Sequence, residues 1–459
     1  MTPTVVNGPP PRTDASVETL IIGAGACGLT AALRAHHAGR EVLALERDET
    51  PTGSTSLSSG FVPAPGTRFQ RSIGVDDTPD LFFADLMAKS HDTSDPALAR
   101  LAADAIAPAI EWLADHAGVE WIVLDDFLYP GHSRHRMHAT PEKTGAALQA
   151  RLLAAAADIP IATNARATTL YREGDRIAAV GVDRGDRTEI IACDALILAC
   201  NGFGGNPDLV AKYIPDIAGG PYFGHAGNTG DAVIWGGRLG ADLLHLSGYQ
   251  GHGSVAHPHG ILITWALMME GGVQLNAEGR RFSNEHQGYS EQGPHVLAQP
   301  GGIAWDVYDQ RIHDFAMNGF PDYRDANAAG AVKTVETMAE LAALIGAPEN
   351  AVAETLAHCA GLPDAEADRF GRDFSTGRAL EPPFYAIKVT GALFHTQGGL
   401  RIDDCARVLS NGRPFANLYA GGGAACGVSG PDVSGYLSGN GLLTALAFGY
   451  LAGGYENPA

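Results

Sequence analysis

Three things are scarce in this 459-residue chain: paired cysteines, basic charge and long apolar runs. The six cysteines, Cys27, Cys193, Cys200, Cys359, Cys405 and Cys426, are scattered, and none forms a C-x-x-C pair. Neither a zinc site nor a disulfide framework is therefore expected, and no metal ligand set is assigned. Lys and Arg total 31 against 52 Asp and Glu, a net charge of −21. That balance argues against nucleic acid or an anionic membrane surface as a general partner. No apolar run reaches the roughly 18–20 residues of a membrane span, so membrane insertion is not expected. The opening "MTPTVVNGPPPRTDAS" has no basic n-region and no apolar h-region, so it does not read as a signal peptide. Residues 1–15 read instead as a short disordered arm, and a reducing cytoplasm is the expected location.

What is abundant is glycine, 58 residues, which suits tight turns and close approach of backbone to a ligand. With 45% apolar and 18% charged residues, the chain reads as a soluble enzyme long enough for two domains. The stretch "SVETLIIGAGACGLTAALRAHHAGREVLALERDE", residues 16–49, holds a compact α/β signal. An apolar strand over 17–22 runs into Gly23, Gly25 and Gly28, then a helix, then a second strand over 41–45 that ends in Glu46 and Arg47. G-x-G-x-x-G between a strand and a helix presents backbone N–H groups, here of Ala26 and Cys27 as well, to a pyrophosphate. A carboxylate at the end of the second strand accepts ribose hydroxyls. The pattern fits either the ADP half of FAD or NAD.

Later segments favour FAD. "GSTSLSSG", residues 53–60, sets Ser54, Thr55, Ser56, Ser59 and Gly60 where small hydroxylic side chains can lie against a flavin. "LILACNGFGGN" offers Asn201 and Gly202, and "NTGDAVIWGGRLGADL" offers Asn228 and Asp231 ahead of a helix. "NLYAGGGAACGVSGPDVSGYLSGNGLLTALAFGYLAG", residues 417–453, carries Gly422, Gly423, Ser438, Gly439, Asn440 and Leu442 into a helix N-terminus. The positive end of that helix suits a ring that gains negative charge on reduction. Residues 79–90, 96–117, 142–157 and 331–361 have helical composition, and 167–200 reads as a β-meander.

These residues, in this order, resemble the flavoprotein superfamily of fumarate reductases and 3-ketosteroid Δ1-dehydrogenases over about 17–453, most specifically in "GAGACG" with Glu46, "NAEGRRFSNE", "FHTQGG" and "LYAGGGAACGVSG…SGNGLL". The resemblance implies an α/β fold with an α+β cap. A Rossmann-type FAD-binding domain is formed by both chain ends, 16–261 and 395–459, with a smaller catalytic or cap domain, 262–394, inserted between them. It implies FAD as cofactor. Covalent members of the superfamily carry a His near the segment that corresponds to 53–60; none is present there, so the expectation is non-covalent.

The departures from the fumarate reductases are informative. Where those enzymes place a proton-delivering arginine this chain has Tyr289, and where they clamp a substrate carboxylate with a second arginine it has Tyr436. Two guanidinium forks have become two phenols. Tyrosines at these places resemble the ketosteroid dehydrogenase arrangement. That implies Tyr289 as base for the proton next to a ketone. Tyr436, with the backbone N–H near Gly439, then holds the ketone oxygen. Tyrosine has an ordinary pKa of about 10, so the site must lower it or share its proton.

The expected reaction is FAD-dependent α,β-desaturation of a ketone. A small cyclic ketone or a keto-acid such as 4-oxocyclohexanecarboxylate is the expected substrate, with oxygen or a quinone-like compound as external electron acceptor. A 3-ketosteroid Δ1-dehydrogenase proper, a fumarate- or urocanate-type enoate reductase and a non-catalytic flavin redox protein remain alternatives. His395 in "FHTQGG" either contacts substrate, stabilises reduced flavin or serves as a hinge. "YPGHSRHRMH", residues 129–138, reads either as a solvated loop or as an anion grip in which Arg134 or Arg136 meets a carboxylate. Glu285 reads as a partner of Arg281 or a support for Tyr289, and the His-rich 245–260 as a loop beside the flavin.

Overall fold

The computed structural model describes residues 2–362, 367–375 and 378–455. The chain divides into two compact units: residues 1–214, 224–249 and 395–459 form one, and 215–223 with 250–394 form the other. Met1 and residues 456–459 of the end segments lie outside the described residues.

The first unit is built on a nine-stranded sheet. At its centre Ala15–Ile22 lies parallel between Val42–Leu45 and Thr188–Leu198, with Arg413–Ala420 parallel on the far side of Thr188–Leu198. Ala15–Ile22 ends in the buried run Leu20, Ile21 and Ile22, as a strand covered on both faces should. The expected meander is present as Arg166–Glu173, Arg176–Asp183 and Thr188–Leu198. The helix Ala26–His37 returns from the first strand and meets the helix Asn440–Gly453 at very close range. A Cβ added at Gly449 would lie 2.5 Å from the Cys27 carbonyl oxygen, and one at Gly453 2.4 Å from that of Ala31. The helix Pro96–Ala117 has the limits its composition predicts: Asp95 caps the N–H groups of Ala97 and Leu98, proline opens it, and Gly118 closes it at φ 64°.

Two expectations fail here. The expected disordered arm, 1–15, is ordered over its described residues 2–15: Thr4–Asn7 is a strand paired parallel to Arg166–Glu173. Thr4 bonds the Thr169 hydroxyl at 2.9 Å, and Asp14 accepts from the Ile190 N–H. The His-rich 245–260 is mostly not a loop, since Tyr249–Ala256 is a strand.

The inserted unit is a six-stranded sheet ordered Ile261–Leu262, Tyr249–Ala256, Phe384–Thr396, Ile303–Asp309 and Val273–Leu275, with Val332–Val335 paired on Phe384–Thr396. It begins at 250 rather than 262 because Tyr249–Ala256 pairs within this sheet. The two helices expected around Gly346 are Met338–Ile345 and Glu349–Gly361, while 332–335 is strand.

Candidate active site

The glycine turn is built backbone against backbone. Gly23, at φ 108°, sits so close to the next strand that a Cβ would lie 2.4 Å from the Ala199 carbonyl oxygen. A Cβ on Gly28 would lie 1.8 Å from the Gly23 carbonyl oxygen. Gly25 gives the helix no side-chain cap, which leaves its N-terminal amides to other partners. The Ala26 N–H donates to Thr55 Oγ1 at 2.9 Å. Glu46 accepts from the Ala24 N–H at 3.2 Å and the Asp48 N–H at 3.0 Å, so it is tied to the turn it serves. Arg47 donates to the Gly227 carbonyl. Burial pushes the Cys27 thiol up to about 12; a Cβ on Gly421 would lie 2.6 Å from its sulfur. Its contribution to a ligand is therefore its backbone.

Beside this turn, Ser54 Oγ accepts from Asn201 Nδ2 at 3.0 Å and from Asn228 Nδ2 at 2.8 Å. Three residues predicted from separate segments thus meet at one hydroxyl. Gly202 and Gly423 pack into the same region: a Cβ on Gly202 would lie 2.0 Å from Thr396 Oγ1, and one on Gly423 2.2 Å from Asn201 Oδ1. Other predicted residues have local duties. Asp231 accepts from the Thr229 hydroxyl at 2.8 Å at the start of its own helix. Gly60 packs on Thr144, Ser59 is exposed, Ser56 and Gly422 lie in short helical turns, and Leu442 packs on the core. Gln149, which the sequence does not signal, donates to the carbonyls of Ala24 and Pro51, each at 2.8 Å. Its Oε1 and Asn440 Oδ1 are buried with no hydrogen-bond partner among the described residues. Orphaned polar atoms and a cradle that any Cβ would fill fit a dinucleotide with its own donors and acceptors.

The helix Asn440–Gly453 starts from Gly439, at φ 89°, where a Cβ would lie 2.5 Å from Pro63 Cδ. His132 Nε2 donates to the neighbouring Ser438 carbonyl at 3.0 Å. Desolvation, then the Arg136 charge, hold this imidazole down to about 4, so it is neutral. His395 lies over the same helix start: a Cβ on Gly441 would lie 2.9 Å from its Nε2. Its ring meets that of Tyr436 edge to face, with centroids 5.4 Å apart at 78°. Desolvation pushes His395 down to about 4, so it too is neutral at physiological pH. The structure therefore brings Tyr436, His395, Ser438, Gly439 and Asn440 together.

The basic cluster is not an anion grip at Arg136. Its guanidinium is fully buried, bonded to both Asp77 oxygens at 2.9 and 3.0 Å and to Asp85, with the Phe82 ring 4.7 Å away. Two carboxylates occupy the fork a substrate would need. Arg134 is exposed and donates to the carbonyls of Asp76 and Ser133.

In the inserted unit, Tyr289 opens the helix Tyr289–Leu297. Its half-buried ring stacks on His252, with centroids 5.0 Å apart at 25°. Burial pushes His252 down to about 3, and its Nδ1 accepts from the Ser254 N–H at 3.0 Å. The ring edge of Trp265 and the tilted ring of Phe394 complete the wall around His252.

The segment leading to Tyr289 is anchored by a buried ion cluster. Glu285 accepts from Arg281 Nε at 2.9 Å and Nη2 at 2.7 Å, and Arg372 Nη1 lies 3.2 Å away. Asp368 takes Arg281 Nη1 at 2.8 Å. Burial opposes the Glu285 charge, but the two arginines outweigh it and hold its pKa below the ordinary value. Asp306 is the opposite case. It is buried and accepts from Ser254 Oγ and, at 2.7 Å, from Gln274 Nε2. Among the described residues no cation bonds it, and burial pushes its pKa up to about 7.

A dinucleotide is what the glycine cradle fits, and the class is that of the FAD-dependent oxidoreductases. A family model described as FAD binding domain matches residues 18–442, and the chain belongs to that family. The chain is 29% identical to an NADH:fumarate oxidoreductase of Klebsiella pneumoniae (strain 342), over 95% of this chain and 47% of that protein. It thus spans about half the length of that relative. It is 26% identical to a 4-oxocyclohexanecarboxylate 2-dehydrogenase of Sinomonas cyclohexanicum, over 95% of this chain and 92% of the other. Among solved structures it resembles the open conformation of a flavocytochrome c3 fumarate reductase, with a TM-score of 0.80, 27% identity and coverage of 96% of this chain and 78% of that one. Among the described residues, no helix is long and apolar enough to cross a membrane.

Proposed function

We propose that this protein desaturates a small cyclic ketone at its α,β bond, with non-covalently held FAD. The observation that carries the reading is the pair of tyrosines, each backed by a neutral imidazole: Tyr289 on His252 and Tyr436 against His395. Each unit thus offers a phenol beside a neutral imidazole. The buried guanidinium groups of Arg136 and Arg281 are bound to carboxylates, and Arg372 lies against Glu285. They supply no free fork for a dicarboxylate.

In this mechanism Tyr436 O–H and the amides near Gly439 donate to the ketone oxygen, which acidifies the α-carbon. Tyr289 removes the α-proton as the C–H pair moves into the forming C=C bond. FAD, when bound, supplies the acceptor for the β-hydride, and an external oxidant of oxygen or quinone type restores it. The substrate loses one proton and one hydride, and the product is an α,β-unsaturated ketone. Likeness to the 4-oxocyclohexanecarboxylate 2-dehydrogenase supports a substrate of that size.

A second reading, reduction of an unsaturated acid, is favoured by the 29% identity to the NADH:fumarate oxidoreductase. Anaerobic titration of the yellow protein separates the two. Bleaching of the flavin by cyclohexanone or 4-oxocyclohexanecarboxylate, with an enone product, supports desaturation. No bleaching by any ketone, together with reoxidation of reduced protein by fumarate or urocanate, makes it a reductase.

A further inference from the structure

His395 Nδ1 lies 2.9 Å from the side-chain nitrogen of Gln397. Gln397 Oε1 accepts from Ser429 Oγ at 2.7 Å, and Ser429 Oγ accepts from Asn440 Nδ2 at 2.9 Å. Gln397, Ser429 and Asn440 are buried. All donors point one way, from Asn440 through Ser429 and Gln397 to His395. An amide nitrogen cannot accept, so Nδ1 carries a lone pair and the ring proton sits on Nε2. The competing acceptor, the Thr396 carbonyl, is 3.4 Å from Nδ1. To serve it, the Gln397 amide would have to flip and the Ser429 hydroxyl would lose its buried acceptor.

We propose that Gln397 is a positioning residue that holds His395 as a neutral Nε2–H donor over Gly441, so that this position reads an oxygen acceptor on the substrate. The identity of that oxygen as a ketone rests on the function proposed above; the proton's position does not. The arrangement supplies a fixed donor at a ring that neither gives nor takes a proton during turnover. The titratable side chain in contact with the ring is Tyr436. The first helical turn, Asn440 to Leu443, and the Gly427–Ser429 loop carry no ionisable side chain, and His245 with Cys426 lies behind Gly398.

The test uses holoenzyme labelled with 15N-histidine, with His395→Gln to assign the signal, from pH 5.5 to 8.5. The expected wild-type pattern is a protonated Nε2 and an unprotonated Nδ1 throughout. Cyclohex-2-enone affinity, read from the flavin spectrum, should show no imidazole titration. Gln397→Glu places an acceptor at Nδ1. The variant should bind the enone normally at pH 5.5 and about tenfold more weakly at pH 8.5, once Nε2 loses its proton. A merely structural role predicts a loss that is the same at every pH, and that result overturns the proposal. So does a wild-type Nδ1–H or an imidazolium in this range. If Gln397→Glu fails to retain flavin, Ser429→Ala breaks the chain further out and should mix the two tautomers; an unmixed Nε2–H pattern there would refute the relay. If the enone does not bind while the nitrogen pattern holds, the ketone reading fails and the relay stands.

Discussion

Gly28 and Glu285 represent two ways of building a unit. Around Gly28 the flavin-side unit fits backbone into backbone, at distances where a single methyl group would collide with a carbonyl. Around Glu285 the inserted unit buries two arginines and two carboxylates that cancel one another. The first device uses atoms every residue has and tolerates no side chain. The second uses only side chains, and each charge is stable only while its partners remain. A flavin cradle built the first way should fail at binding when altered, and a unit built the second way should fail at folding.

The largest effect should come from Gly28→Ala. Its Cβ meets the Gly23 carbonyl oxygen, so the protein is expected to lose its flavin, read as loss of the yellow absorbance per mole. Retention of full flavin would break the contrast at its strongest point. Tyr289→Phe comes next, with flavin reduction by a ketone slowed about 10²–10⁴-fold while ligand still perturbs the flavin spectrum. A normal rate would remove Tyr289 from the chemistry.

Glu285→Gln should cost about 3–5 kcal/mol, because it leaves Arg281 and Arg372 buried without their shared carboxylate. With Trp112, Trp121 and Trp235 of the flavin-side unit replaced by phenylalanine, denaturant melts followed by flavin release and by the fluorescence of Trp265 and Trp305 should separate, with fluorescence moving first. Coincident transitions would mean that the two units do not melt as distinct bodies.

Asp306→Asn is the mildest and sharpens the contrast by sign. Asp306 binds its proton more tightly folded than unfolded, up to about 7. Its stabilisation is therefore complete below the ordinary carboxylate pKa and fades as pH rises towards 7. Asparagine never ionises, so the melting temperature of the variant relative to wild type should climb from pH 4.5 to 7.5. A constant difference would show that Asp306 is already ionised.

The same contrast explains what could be read from the chain. Gly23, Gly25, Gly28 and Glu46 act within one short window, so spacing alone reveals the strand, turn, helix and acid. Helix limits such as 96–117 were legible because Asp95, Pro96 and Gly118 are local signals. Arg136 misled because the carboxylates that cancel it, Asp77 and Asp85, lie 59 and 51 residues away. Asp306 gave no signal, since its partners Ser254 and Gln274 are 52 and 32 residues distant. Gln397 was in view within "FHTQGG", but its meaning depends on Ser429, 32 residues on. In sequence His252 reads as part of a loop, because a strand rich in Gly and His has weak β-propensity; the pairing of the sheet overrides it.

The short strand Thr4–Asn7 has a consequence of its own. It is the outermost member of the nine-stranded sheet and lies along the eight-residue strand Arg166–Glu173. With it the outer edge is four residues long; without it the longer edge of the eight-residue strand would face solvent, a better template for a second copy. The four residues act as a selvedge, the finished margin that keeps a woven edge from catching on its neighbour. Deleting residues 2–8 should leave flavin content and turnover intact while the protein gains a concentration-dependent tendency to associate, visible by light scattering.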